Sequence, residues 1–162
     1  MNKMVNRGLA KAIVLSWLLV GTLDILAAII QTVASQGSVI RLLQYIASGV
    51  FGKSAFEWGW NSAAAGLAFH YAIALGWTVL FFLVYRRFPR APHHRVLTGI
   101  GYGLFVWVLM NRVVLPVSNV QLGPFVAWRA ALAAGVLVLA IGLPLSFLAA
   151  RHFGEPSSGT RN

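Results

Sequence analysis

Apolar residues fall along the chain in four long blocks, each closed by polar or helix-breaking residues. The first, about 12–34, is continuous except for one carboxylate, Asp24. It exceeds the roughly 20 helical residues that cross a bilayer's hydrocarbon. The second, about 61–85, holds His70 as its only ionisable residue and stops at Arg86, Arg87, Arg90 and Arg95, with Pro89 and Pro92 breaking the connection. The third, about 96–115, carries Asn111 and Arg112 near its far end and closes at Pro116, while the fourth, about 125–150, has Pro144 near its end. The pattern predicts an all-α membrane protein: one domain, 1–153, of four transmembrane helices, then a disordered polar tail over 154–162.

The segment 38–51 is of a different kind. Val39, Leu43, Ile46 and Val50 repeat at helical spacing, and Arg41, Gln44 and Ser48 form a narrow polar strip beside them. An amphipathic helix of about 14 residues reaches roughly 21 Å at 1.5 Å per residue, too short to cross. It is expected to lie in the outer interface or to dip in and return, with Gly49, Gly52 and Gly59 permitting the reversal. Trp58, Trp60 and Trp128 fall where indole rings settle at headgroup level.

Composition agrees with the pattern. Hydrophobic residues make up 59% of the 162 and charged residues 10%, against roughly 25% charged in ordinary soluble domains. Mean hydropathy is +0.76, and four spans leave no room for a soluble catalytic domain. A net charge of +10 would suggest nucleic acid in a soluble protein. Its distribution points elsewhere: Lys3, Arg7, Lys11, Arg86, Arg87, Arg90, Arg95, Arg151 and Arg161 fall on one side of the predicted spans, and Arg41, Lys53, Arg112 and Arg129 on the other. Positive residues near span ends are retained in the cytoplasm, so both termini are expected there and nucleic acid is not an expected partner. The basic start followed by Val33-Ala34-Ser35 also spells a signal peptide, but the length of the stretch and Asp24 within it fit a retained helix better.

Helices in lipid approach where side chains are small. Ala64, Ala68, Ala72 and Gly76 recur every four residues in the second span, Gly99 and Gly103 form a Gly-x-x-x-Gly pair in the third, and Ala131 and Gly135 offer a shorter version in the fourth. They are read as contacts within one bundle, with a homodimer seam as the alternative. Pro144 cannot donate to the carbonyl of Ala140, which predicts a kink.

Polar groups at membrane depth cost about 2.5–3.5 kcal/mol for a central charge, so each asks for a partner or a function. By helical rise, Asp24, His70, Asn111 and Arg112 all fall in the outer half of the bilayer, and Gly21 and Ala28 flank Asp24 with room for a neighbour. Three arrangements fit. Asp24 pairs with Arg112 or His70 and ties helices together; Asp24 and His70 form a proton-responsive or ligand-binding site; or Arg112 reaches the outer headgroups with Arg129 and leaves Asp24 unpaired. Arg41, Gln44 and Ser48 either cover this cluster as a polar lid or meet headgroups.

Other chemistry finds little support. There is no cysteine, no His-Glu-x-x-His spacing, no phosphate loop and no Gly-x-Ser-x-Gly elbow, so no metal or cofactor is expected. His93 and His94 sit in the arginine-rich connection, and His152 lies at the surface opposite His70, which disfavours a haem with two histidine ligands. Enzymatic action is not expected; a lipid-modifying activity of Asp24 and His70 is the least remote version, since Ser48 lacks a nucleophile's setting.

Asp24, the stretch Ile40-Arg41-Leu42-Leu43-Gln44-Tyr45-Ile46-Ala47-Ser48-Gly49, His70, Met110-Asn111 and Leu115-Pro116-x-Ser118 together resemble small uncharacterised four-span bacterial inner-membrane proteins, distantly of the YagU-like group. The likeness runs over about 22–149. It implies a bacterial inner-membrane location and a polar cluster, and no catalytic role. The functional expectation is therefore a four-span inner-membrane protein built around that cluster. The alternatives are a small proton-coupled transporter or channel acting as a dimer, and a lipid-binding or accessory membrane subunit.

Overall fold

The computed structural model describes residues 2–87 and 94–154; the expectations for Pro89, Arg90, Pro92, His93 and the tail from 155 onward lie outside them. Among the described residues there is no strand, and four helices are long and apolar enough to cross a membrane: Gly8–Ala34, Gly59–Tyr85, Arg95–Val117 and Ala127–Phe153. The first belongs to α1 (Asn2–Ala34), which ends in a hydrogen-bonded reversal. Gln36 adopts φ 57°, its N–H reaches the carbonyl of Val33 and that of Gly37 reaches Thr32, so the last carbonyls of α1 keep partners. Ser38 then caps α2 (Val39–Phe51) through its hydroxyl oxygen, which accepts from the Arg41 N–H. Gly52, at φ 64°, ends α2, a single 3-10 turn follows, and Gly59, at φ 54°, opens α3 (Gly59–Tyr85).

The other two long helices, α4 (Arg95–Val117) and α5 (Ala127–Phe153), each contain one widened turn. In α4 the N–H of Leu115 reaches past its usual partner to the carbonyl of Met110, and in α5 that of Leu143 reaches Val138. Both π turns, Met110–Val114 and Val138–Gly142, end two residues before a proline, Pro116 and Pro144. A proline cannot donate to the carbonyl four residues back and its ring collides with it; adding one residue to the preceding turn relieves both conflicts.

The widened turn of α5 also makes a close helix contact with α4. A methyl group on Gly103 would come within 2.5 Å of the Val138 Cα, one on Gly99 within 2.9 Å of the Leu143 Cα, and one on Gly142 would collide with the Gly99 carbonyl oxygen. Around that seam Val20, Phe81, Phe82, Tyr85, Tyr102, Val106, Ile141 and Leu145 form a closed apolar core toward the 86–95 end. Two hydroxyls cross it: Tyr102 donates to the carbonyl of Trp77 at 2.6 Å and Ser146 to that of Arg95 at 2.6 Å. The outward faces are apolar too, with Leu15, Leu26, Ile30, Leu83, Leu97 and Leu139 exposed. Such surfaces are stable against acyl chains rather than water.

Candidate functional site

Three hydrogen bonds fix α1 against the middle of α3, at His70 and Tyr71. The indole N–H of Trp17 donates to the carbonyl of Tyr71 at 2.7 Å, the hydroxyls of Thr22 and Tyr71 meet at 2.9 Å, and His70 Nε2 lies 2.9 Å from the carbonyl of Gly21. Since a carbonyl oxygen only accepts, Nε2 carries the hydrogen and donates it, which leaves Nδ1 as the accepting atom of the neutral ring. Gly21 permits this approach, because a methyl group there would come within 3.0 Å of the Tyr71 ring.

One turn beyond Gly21, Asp24 sits within electrostatic reach of His70. The two share the walls of two adjoining cavities. The larger, about 380 Å³, lies between α1, α2, α3 and α4 and is closed on one side by Ser118 and Val120 of the connection after α4. The smaller, about 120 Å³, continues from the same two residues toward Trp77, Val106, Leu137 and Ile141. Ile46, Ile73 and Met110 line both. Val106 and Ile141 of the smaller cavity's wall belong to the apolar core. Among the described residues, Asp24 and His70 are the only carboxylate and imidazole in either wall, and the larger cavity is lined also by Tyr45 and Ser118.

The face of α2 that covers the larger cavity is its apolar one, with Leu42, Ile46, Gly49 and Val50. The proposed lid residues do something else. Gln44 is buried and donates to the carbonyl of Gly59 at 3.1 Å, Ser48 is buried and donates to Tyr45 of its own helix at 2.7 Å, and Arg41 is exposed. The physical reason is the crossing of α2 over α3, where a methyl on Gly66 would collide with the Leu43 carbonyl oxygen. At that separation the buried amide of Gln44 reaches the Gly59 carbonyl at the start of α3, which also accepts from the Ser62 hydroxyl at 3.1 Å. The other end of α2 is tied to the connection after α4: Asn119 donates its backbone N–H to Gly49 and its side-chain amide to Val50, both at 3.0 Å.

Asn111 and Arg112 are not brought to Asp24 and His70. Both are exposed and line a separate groove of about 480 Å³ with Arg129, Tyr45 and residues of the 118–126 connection. Asn111 spends its amide on the carbonyl of Trp107, at 2.8 Å in its own helix. The helical spacing that put all four residues at one depth carried no information on which face each would take. Tyr45, which lines both the groove and the larger cavity, follows Gln44 of the polar strip and is not among the candidate site residues read from the sequence.

The small-residue stripe of the second span also turns out differently. Ala64, Ala68, Ala72 and Gly76 are exposed, while Ser62, Ala63, Gly66, Ala74 and Thr78 are the buried small residues of α3. The stripe therefore faces outward from this bundle, since α2 and α1 occupy the neighbouring face. Gly99 and Gly103 stand at the α4–α5 seam described above. No protein-family model, curated protein or solved structure matches the chain.

Proposed function

We propose that the chain is a multi-pass protein of the bacterial inner membrane, with cytoplasmic termini, that binds a small and largely apolar ligand in the cavity beneath α2. The observation that carries this reading is the meeting of Asp24 and His70, from separate spans, at the wall of a cavity of about 380 Å³ whose other lining is mainly apolar. Concave apolar sites with a few convergent polar groups are the usual form of small-ligand sites. A carboxyl group and an imidazole also cost free energy at membrane depth, which a structural tie alone could offset with less chemistry.

Binding is favoured over catalysis because the two serine hydroxyls near the cavity are engaged with backbone carbonyls. Ser118 donates to Leu115 at 2.7 Å, and Ser48 donates to Tyr45. Neither is paired with a base. The assignment to the inner membrane and to the YagU-like group belongs to the same proposal.

Native mass spectrometry of the purified full chain tests it. A small-molecule species retained by the wild type is expected to be lost from Ile46→Trp, which fills the cavity, and weakened in Asp24→Asn. Identical spectra for wild type and an equally folded Ile46→Trp would overturn the reading. A second reading, proton-coupled transport by a dimer, draws on the smaller chamber and on the outward stripe of Ala64, Ala68, Ala72 and Gly76. It requires the apolar core to open, and proton flux into reconstituted vesicles that disappears in Asp24→Asn would favour it.

A further inference from the structure

The groove of Arg112 and Arg129 poses a charge problem. Two arginines from different helices line one depression, and no carboxylate among the described residues stands in its wall. The chain has three acids: Asp24 lines the other cavities, Glu57 lies in the turn before α3, and Glu155 is outside the described residues. Arg129 does have a neighbour, the ring of Trp128 at 5.4 Å. A ring face holds a guanidinium in place without accepting from its N–H fork, so those donors stay available. Two like charges lining one depression make it attractive to an anion. The guanidinium fork matches phosphate oxygens in pairs, and the first turn of α5 adds N–H groups that its capping residue, Val126, cannot satisfy with a side chain.

Position and continuity narrow the anion further. The groove lies beside the 118–126 connection, at the ends of α4 and α5 remote from the 86–95 loop, where a bilayer places its headgroups. Tyr45 and Leu115 belong both to this groove and to the apolar cavity of Asp24 and His70. A charged head in the first thus leaves its apolar part beside the second.

We propose that Arg112 and Arg129 hold the phosphate of an anionic amphiphile whose tail enters the adjoining apolar cavity. The tail's placement rests on the binding function proposed above; the headgroup site rests on the groove alone. The arginines act as paired donors and charge partners for the phosphate. Asn111, which keeps a second amide hydrogen beyond the one given to Trp107, is placed to add a contact.

Titration of the purified full chain with a short-chain phosphatidic acid, the diacylglycerol of the same chain length and inorganic phosphate tests this. The phosphatidic acid is expected to bind at least about tenfold more tightly than either control, as charge-assisted bonds to phosphate imply. The double variant R112Q/R129Q should lose that preference while remaining folded, because both side chains are exposed. Inorganic phosphate binding as tightly as the lipid would identify a free-anion site and overturn the amphiphile. Unchanged lipid affinity in R112Q/R129Q, with loss in Ile46→Trp, would overturn the headgroup site and leave the cavity reading standing. Loss in R112Q/R129Q with no change in Ile46→Trp would overturn the shared ligand and count against the cavity reading itself.

Discussion

Gly21 and Tyr71 show how little chemistry decides where two membrane helices meet. Lipid offers no hydrophobic gain for burying one apolar face against another, so the α1–α3 register depends on a missing side chain at Gly21 and on the hydrogen bonds that its absence allows. Tyr71→Phe removes only the hydroxyl contact with Thr22 and is expected to cost about 0.6 kcal/mol, whereas Gly21→Val drives a branched side chain into the Tyr71 ring and is expected to cost about 1–3 kcal/mol. Unfolding in mixed detergent micelles measures both, and equal losses would show that the ring contact does not set the register. Gln36 carries the opposite expectation. Its φ of 57° is one that a glycine adopts freely, so Gln36→Gly should raise stability by up to about 1 kcal/mol, read as a higher unfolding midpoint. Tyr45, outside the spans, has its phenol pushed above the ordinary 10.0 by burial. The folded protein then holds that proton where the unfolded chain has released it, so stability is intact below pH 10.0 and declines as pH climbs through the higher folded value. Tyr45→Phe should flatten this alkaline decline, which unfolding midpoints measured against pH would reveal.

At the level of the helices, close approach is concentrated at a few backbone crossings. Gly66 beneath Leu43 holds α2 on α3, and Gly99 and Gly103 admit the widened turn of α5. Gly66→Ala is expected to displace α2 and cost about 1–3 kcal/mol, with Asp24 and His70 losing their cover. Ala68→Leu, on the outward stripe of the same helix, should leave bundle stability within about 0.5 kcal/mol. A larger loss there, with a fall in apparent mass on size exclusion, would reveal a second copy packed on the stripe. The contrast also shows what the amino-acid pattern could convey. α3 is apolar around its entire circumference, so no polar face marks which small residues point inward, and Ala64, Ala68, Ala72 and Gly76 were as plausible as the buried set one step around the helix. Glycine pairs such as Gly99 and Gly103 signal backbone approach without reference to polarity. Asp24 and His70 were visible because a bilayer makes any ionisable residue conspicuous. The separation of Asn111 and Arg112 from them was not visible, because depth follows from counting residues and azimuth does not. The widened turn before Pro116 likewise rotates the end of α4 by an amount that the residue count omits.

The whole molecule divides into a closed end and an open end. Phe81, Phe82, Tyr85, Tyr102 and Leu145 fill the end near the 86–95 loop, while the cavities and the arginine groove lie toward α2 and the 118–126 connection. The four spans themselves were legible in the sequence because hydrocarbon tolerates no unpaired backbone, and only long apolar helices satisfy that demand. Under the orientation proposed above from the bias of lysine and arginine, the closed end would face the cytoplasm and the open end the periplasm. The chain has no cysteine, so single introduced thiols report orientation without background. Gly123 is exposed at the groove's lip with open space around the position of an added side chain, and His94 is exposed at the other end. A membrane-impermeant maleimide added to spheroplasts should label Gly123→Cys at once and His94→Cys only after the membrane is opened. The reverse order would turn the molecule over and place the apolar cavity and its arginines at the cytoplasmic leaflet. A ligand would then have to arrive from inside the cell, and the phosphate-bearing head would compete with soluble cytoplasmic phosphates for the same two guanidinium groups.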